Sequence, residues 1–183
     1  MNDHCYLDNL VLAQQQGNKF KYIYFWGHTP KDQNIVDKSC FSQWYPSAFE
    51  SDGTYYATAE HYMMAQKARL FHDDAIFEKI LQAEHPNQAK ELGRLVKNYD
   101  EKIWLKHRFQ IVVQGNITKF SQHAALKDFL LATGDQILVE ASPVDKIWGI
   151  GLAQEHEKAQ YPEQWQGLNL LGFALMQVRA VFK

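Results

Sequence analysis

The alternation of apolar and polar positions divides the chain into an aromatic strand, a hairpin, a long helical middle, a short apolar run and a closing helix. Lys21-Tyr22-Ile23-Tyr24-Phe25-Trp26 is dense in aromatic and β-branched residues. Such residues fit a pleated, half-buried surface, so the pattern predicts a strand. Gly27 and Pro30 end it, and residues 31–40 read as a loop. Phe41-Ser42-Gln43-Trp44-Tyr45-Pro46 leads into two strand-like runs joined by Asp52-Gly53, a strong hairpin signal. From Ala59 to Phe71 no Gly or Pro interrupts the chain, and Thr58 is placed to cap that helix. Further helices are expected near 73–84, 86–97, 100–116 and 121–132, with Pro86 in a first turn and Asp100 and Ser121 as caps. Gln136-Ile137-Leu138-Val139-Glu140 is an apolar run that can rejoin the sheet, and residues 142–168 are rich in Gly and Pro. The final helix is expected over 169–181, with Leu171, Ala174, Leu175, Val178 and Phe182 on one face.

These elements predict a mainly α fold: a single helical domain over 20–183 with a small N-terminal β-hairpin or sheet. Residues 1–19 are polar and Gln-rich, and read as an arm or a short irregular helix. No repeat, linker or low-complexity tract divides the rest.

Composition narrows the function classes. The 183 residues carry 46% hydrophobic and 14% aromatic residues, enough for a substantial core. An aromatic excess serves either a large core or a pocket that stacks flat rings. The formal charge of −2 argues against broad, backbone-driven nucleic-acid binding, while leaving room for a few basic residues around one phosphate. Cys5 and Cys40 make neither a disulfide framework nor a zinc site. The eight His form no metal-ligand pattern: His61 follows Glu60, but position 64 is Met, so HExxH is absent. We therefore expect no metal and no cofactor. No signal-type leader and no run of 18 apolar residues is present, so the expected setting is the cytoplasm, away from membranes.

Three clusters carry candidate chemistry. Glu60 and Lys67 are seven residues apart on the helix that starts at Ala59, which puts them within about 20° of one face and about 10 Å apart along the axis. A carboxylate and an amine on one wall can do acid/base or covalent chemistry at a sugar carbon. The competing reading is that both simply complement the helix dipole. In Asp145-Lys146-Ile147-Trp148-Gly149-Ile150-Gly151, an acid and a Trp flank two glycines that permit tight turns or close approach to a ligand. The competing reading there is a surface loop with a packed Trp. Phe25, Trp26, Phe41, Trp44 and Tyr45 form an aromatic group at strand ends and loop starts, where core packing is the alternative. Arg94, after Gly93, can fork onto a phosphate, and Trp104 precedes Lys106 and Arg108.

Taken together these residues resemble the NADAR, or YbiA-like, family. The resemblance rests on Phe41-Ser42-Gln43-Trp44-Tyr45, Thr58-Ala59-Glu60-His61-Tyr62 with Gln66-Lys67, Gly93-Arg94, Trp104, Asp145–Gly151, Leu130-Leu131-Ala132-Thr133-Gly134 and Asn169-Leu170-Leu171-Gly172. It covers roughly residues 20–182, and opens on the aromatic strand end Tyr24-Phe25-Trp26-Gly27. The stretch 28–40 is longer than in the shortest members.

The resemblance implies an N-glycosidase. Its substrate would be a ribose phosphate, or ADP-ribose, joined to an aminopyrimidine or guanine-like base, as in breakdown of riboflavin intermediates or removal of ADP-ribose from guanine. Guanine modified within nucleic acid belongs to the same partner class. It also implies Glu60, Lys67 and Asp145 as catalytic residues, with Trp26, Gly27, Phe41, Ser42, Trp44, Arg94, Trp104, Trp148 and Gly149 binding substrate. In such a hydrolysis the anomeric carbon gains positive charge as the base departs. A carboxylate stabilises that charge or activates water, or else a desolvated lysine traps the opened sugar as a Schiff base. Two other classes stay open: a nucleotide-binding module that holds ADP-ribose without turnover, and a purely structural helical domain.

Overall fold

The computed structural model describes residues 3–183. It is mainly helical, with two small two-stranded sheets. The residues form two compact units. One combines the chain up to Gly27 with Asp128–Lys183, and the other is His28–Lys127.

In the first unit, β1 (Tyr22–Phe25) pairs in parallel with β4 (Ile137–Glu140), Tyr22 opposite Ile137 and Phe25 opposite Glu140. Parallel pairing explains why β4 reads as a continuous apolar run, with Ile137, Leu138 and Val139 all buried. The closing helix α7 (Leu170–Phe182) lies against β4. Asn169, just before α7 and fully buried, takes a left-handed backbone and works as a strand substitute. Its Nδ2 donates to Leu138 O at 2.9 Å and its Oδ1 accepts from Glu140 N at 2.9 Å. Residues 5–15, expected as arm or irregular helix, form a regular helix, α1 (Cys5–Gln15).

In the second unit, β2 (Phe49–Ser51) and β3 (Thr54–Tyr56) form the expected antiparallel hairpin, its turn carrying positive φ at both Asp52 and Gly53. The unit is built around α2 (Ala59–Leu70), which packs on α3 (Asp74–Leu81), α4 (Pro86–Arg94) and α5 (Glu101–Gln122). A helix covered on three sides has no polar stripe in its first half, and Ala59 to Ala65 are all buried. Thr58 caps α2 and Asp100 caps α5 through side-chain oxygens that accept from His61 N and Ile103 N.

Helices α3 and α4 each end three residues before the expected position, and the largest difference is at the end of α5. α5 runs through 117–121 to Gln122, and α6 (Ala124–Ala132) starts after it. Ser121 is therefore not a cap: its Oγ donates back to Thr118 O at 2.8 Å. Gly115 and Asn116 interrupt the sequence pattern because both serve tertiary contacts. A side chain at 115 would stand 2.5 Å from the Tyr62 ring, and Asn116 is wholly buried. No helix among the described residues is long and apolar enough to cross a membrane.

His61 gives the second unit an acid-sensitive joint. Its ring is 1% exposed, with Nδ1 2.8 Å from the Thr58 hydroxyl and Nε2 3.0 Å from Ala83 O. The Ala83 carbonyl can only accept, so Nε2 carries the proton of the neutral ring and Nδ1 accepts from the Thr58 hydroxyl, which in turn accepts the His61 amide. Burial holds its pKa below the ordinary 6.5, against a smaller opposing effect of the Ala83 carbonyl. Below about 6.5 the unfolded chain then binds more protons than the folded one, so stability is complete above that pH and lost as pH falls. Thermal unfolding of wild type should show a Tm that declines below about pH 6.5. His61→Gln should flatten that limb, and an unchanged slope would remove His61 as its cause.

Candidate active site

Glu60 and Lys67 both lie in α2, seven residues apart. Glu60 is in the first turn and 4% exposed, and its backbone N–H donates to Gln43 O at 3.0 Å. Lys67 is half-buried two turns later. Its Nζ donates to Gly93 O at 2.8 Å and lies 4.4 Å from the Tyr99 ring centre and 5.6 Å from that of Trp104. α4 comes this close because position 93 is glycine; a Cβ there would stand 2.1 Å from Met64 Sδ.

The carbonyl and the two rings favour the ammonium form of Lys67, but removal from water outweighs them. Burial, and after it the nearby Arg94 guanidinium, hold its pKa below 10.5. Arg94 itself is exposed at the end of α4. Trp104, 8% exposed, is a wall beneath Lys67 rather than an open platform.

The Phe41–Tyr45 stretch forms a tight turn after a short 3-10 helix, Lys38–Phe41. Phe41 is fully buried and packs in the core. Ser42 Oγ accepts from Trp44 N at 3.1 Å, shaping the turn. The half-exposed Trp44 ring lies 5.7 Å from that of His28 and 5.8 Å from Lys90 Nζ.

The other candidates belong to the first unit. Trp26 is 61% exposed, and Gly27 has a left-handed φ of 80°. Asp145 organises its own loop: Oδ1 accepts from both Ile147 N and Trp148 N at 2.8 Å, and no hydrogen bond among the described residues engages Oδ2. The carbonyls of Ile147, Trp148 and Gly149 accept from Leu170, Leu171 and Asn169, so this loop caps the start of α7. Gly149 serves that packing, because a Cβ there would stand 2.8 Å from Glu140 O and 3.0 Å from Asp145 O. Trp148 is half-buried.

Sequence reasoning missed Tyr99, the nearest ring to Lys67, together with His28 and Lys90 around Trp44. It also missed Lys119 and Asn116, which hold the 40–44 turn. None follows a local pattern, since each meets its partner across helices or loops. Among the described residues no group of His, Cys, Asp and Glu could hold a metal ion.

Comparison with known proteins gives a consistent picture. The NADAR domain family model matches residues 24–183. An N-glycosidase of Acanthamoeba polyphaga mimivirus is 45% identical over 165 residues, covering 87% of this chain and 95% of that protein. The N-glycosidase YbiA of Escherichia coli is 35% identical over 143 residues, covering 78% and 79%. The NMR structure of the E. coli protein YbiA superposes with a TM-score of 0.70 at 29% identity, covering 90% of this chain and 86% of that one. Relatives this similar over most of their length mark the chain as a hydrolase of N-glycosyl bonds, and it belongs to the NADAR family.

Proposed function

We propose that the chain cleaves the bond between C1′ of a ribose phosphate, or of ADP-ribose, and a ring or exocyclic nitrogen of an aminopyrimidine or guanine-like base. The observation that carries this reading is the pairing on α2 of a buried carboxylate, Glu60, with a partly desolvated amine, Lys67, seven residues later on one face. In hydrolysis water adds to C1′, the C1′–N bond breaks, its electron pair stays on the base, and that nitrogen takes a proton. Glu60 activates the water or stabilises the developing charge at C1′. The exposed Arg94 forks onto phosphate, and Trp44 offers a flat surface to a base.

Incubation with a phosphoribosylaminopyrimidine and, separately, with ADP-ribosylated guanosine tests the reading. Free base released from one or both supports it and names the substrate. Release from neither, while ADP-ribose still binds, would replace it with a role in holding the nucleotide.

A further inference from the structure

Lys119, toward the end of α5, has no exposed surface at all. Among the described residues no carboxylate lies within ion-pair distance of it. The titratable group that acts on its charge is the Cys40 thiol, which burial pushes up to about 12 and so keeps neutral. Burial pulls the Lys119 amine down to about 8, and at neutral pH it is still mainly an ammonium. A methionine would fill similar space without the cost of desolvating a charge. What the charge supplies is hydrogen bonding: Nζ donates to Cys40 O at 2.7 Å and Ser42 O at 3.2 Å.

Those carbonyls belong to the turn that meets α2. The next residue, Gln43, accepts the Glu60 N–H on its backbone carbonyl at 3.0 Å. The Gln43 Oε1 accepts from Asn116 Nδ2 at 2.8 Å. Asn116 stands three residues before Lys119, on the same side of α5. One helix therefore grips the turn at three carbonyl oxygens, two on the backbone and one on the Gln43 side chain. The turn in turn satisfies an otherwise orphan amide of α2, that of Glu60.

We propose that Lys119 is a positioning residue for the reaction: it fixes the 40–44 turn, which fixes the first turn of α2 and hence the Glu60 carboxylate. The inference rests on the reading of Glu60 as the acid/base group.

The test is a double-mutant cycle on kcat, using free-base release by the full chain at a temperature where circular dichroism shows every variant folded. Lys119→Met should lower kcat about tenfold or more, since a misplacement near 1 Å can cost on the order of 100-fold. In the Glu60→Gln background the same change should lower the residual kcat by less than about twofold, because its effect passes through Glu60. A merely structural role would lower Tm alike in both backgrounds and leave kcat of the folded protein unchanged. Equal losses of kcat in both backgrounds, or none in either, would overturn the proposal. If Lys119→Met does not fold, Asn116→Ala loosens the same turn at Gln43 and must show the same coupling. Absence of base release by wild type defeats the hydrolytic reading itself. Full activity in Glu60→Gln defeats the role of Glu60.

Discussion

Glu60→Gln is expected to leave the fold intact and to cost about 10²–10⁴ in turnover, the usual contribution of a positioned acid/base group. The side chains match in size, and the contact that ties Glu60 to the 40–44 turn is made by its backbone amide, which the substitution does not touch. Removing a negative charge from the first turn of α2 forfeits its interaction with the helix dipole, about 0.3–1 kcal/mol. Thermal unfolding should therefore shift by only a few degrees, while free-base release nearly vanishes. The two quantities separate the two readings of this residue. A dipole role predicts a small Tm change and normal kcat; a role in chemistry predicts the same small Tm change and a collapsed kcat. Wild-type turnover in this variant would return Glu60 to helix stabilisation.

The stability cost stays small because α2 has other means of starting. The Thr58 hydroxyl and the Gln43 carbonyl each satisfy an N–H near its beginning, at His61 and Glu60. Half of that was legible in the sequence and half was not, for one reason throughout the molecule. Caps are local, so Thr58, Asp100 and Pro86 marked their helices correctly. The end of α5 was not legible, because Gly115 and Asn116 look like breakers but are kept for the Tyr62 ring and for Gln43. β1 and β4 could be read as strands; their parallel pairing, between residues more than a hundred positions apart, could not.

The same division applies to the candidate site. Helix periodicity alone places Glu60 and Lys67 on one face. What makes Lys67 unusual is the Gly93 carbonyl and the Tyr99 ring, and both depend on how α4 and the turn after it pack on α2. Lys119 falls between the helices expected over 100–116 and 121–132, and only the tertiary structure shows that it lies within α5 and is enclosed. Asp145 stands out in the sequence as an acid beside glycines; its hydrogen bonds to Ile147 and Trp148 add a loop-forming role that spacing does not reveal.

Lys67→Arg should abolish turnover if the amine is a nucleophile. The covalent route balances simply. The neutral Lys67 amine bonds to C1′, the base leaves with the electron pair of the C1′–N bond and is protonated, and the ribose ring opens as its ring oxygen takes a proton. The imine left between Nζ and C1′ is then hydrolysed by water, returning the free sugar. Borohydride added during turnover should reduce that imine to a stable secondary amine, detectable as a sugar-phosphate mass on the peptide containing Lys67. Because only the unprotonated amine attacks, and burial together with Arg94 eases loss of its proton, adduct yield should rise with pH. Arginine keeps the charge and can still reach toward the Gly93 carbonyl, but it stays protonated and forms no such imine. An inactive Arg variant together with a trapped wild-type adduct establishes the covalent route. Full activity in the Arg variant excludes it. An inactive Arg variant with no adduct in wild type leaves Lys67 as the cation that orients the sugar phosphate, with Glu60 activating water. In that last case the rings of Tyr99 and Trp104 fix the position of the charge rather than expose a nucleophile, and Tyr99→Leu should raise KM more than it lowers kcat.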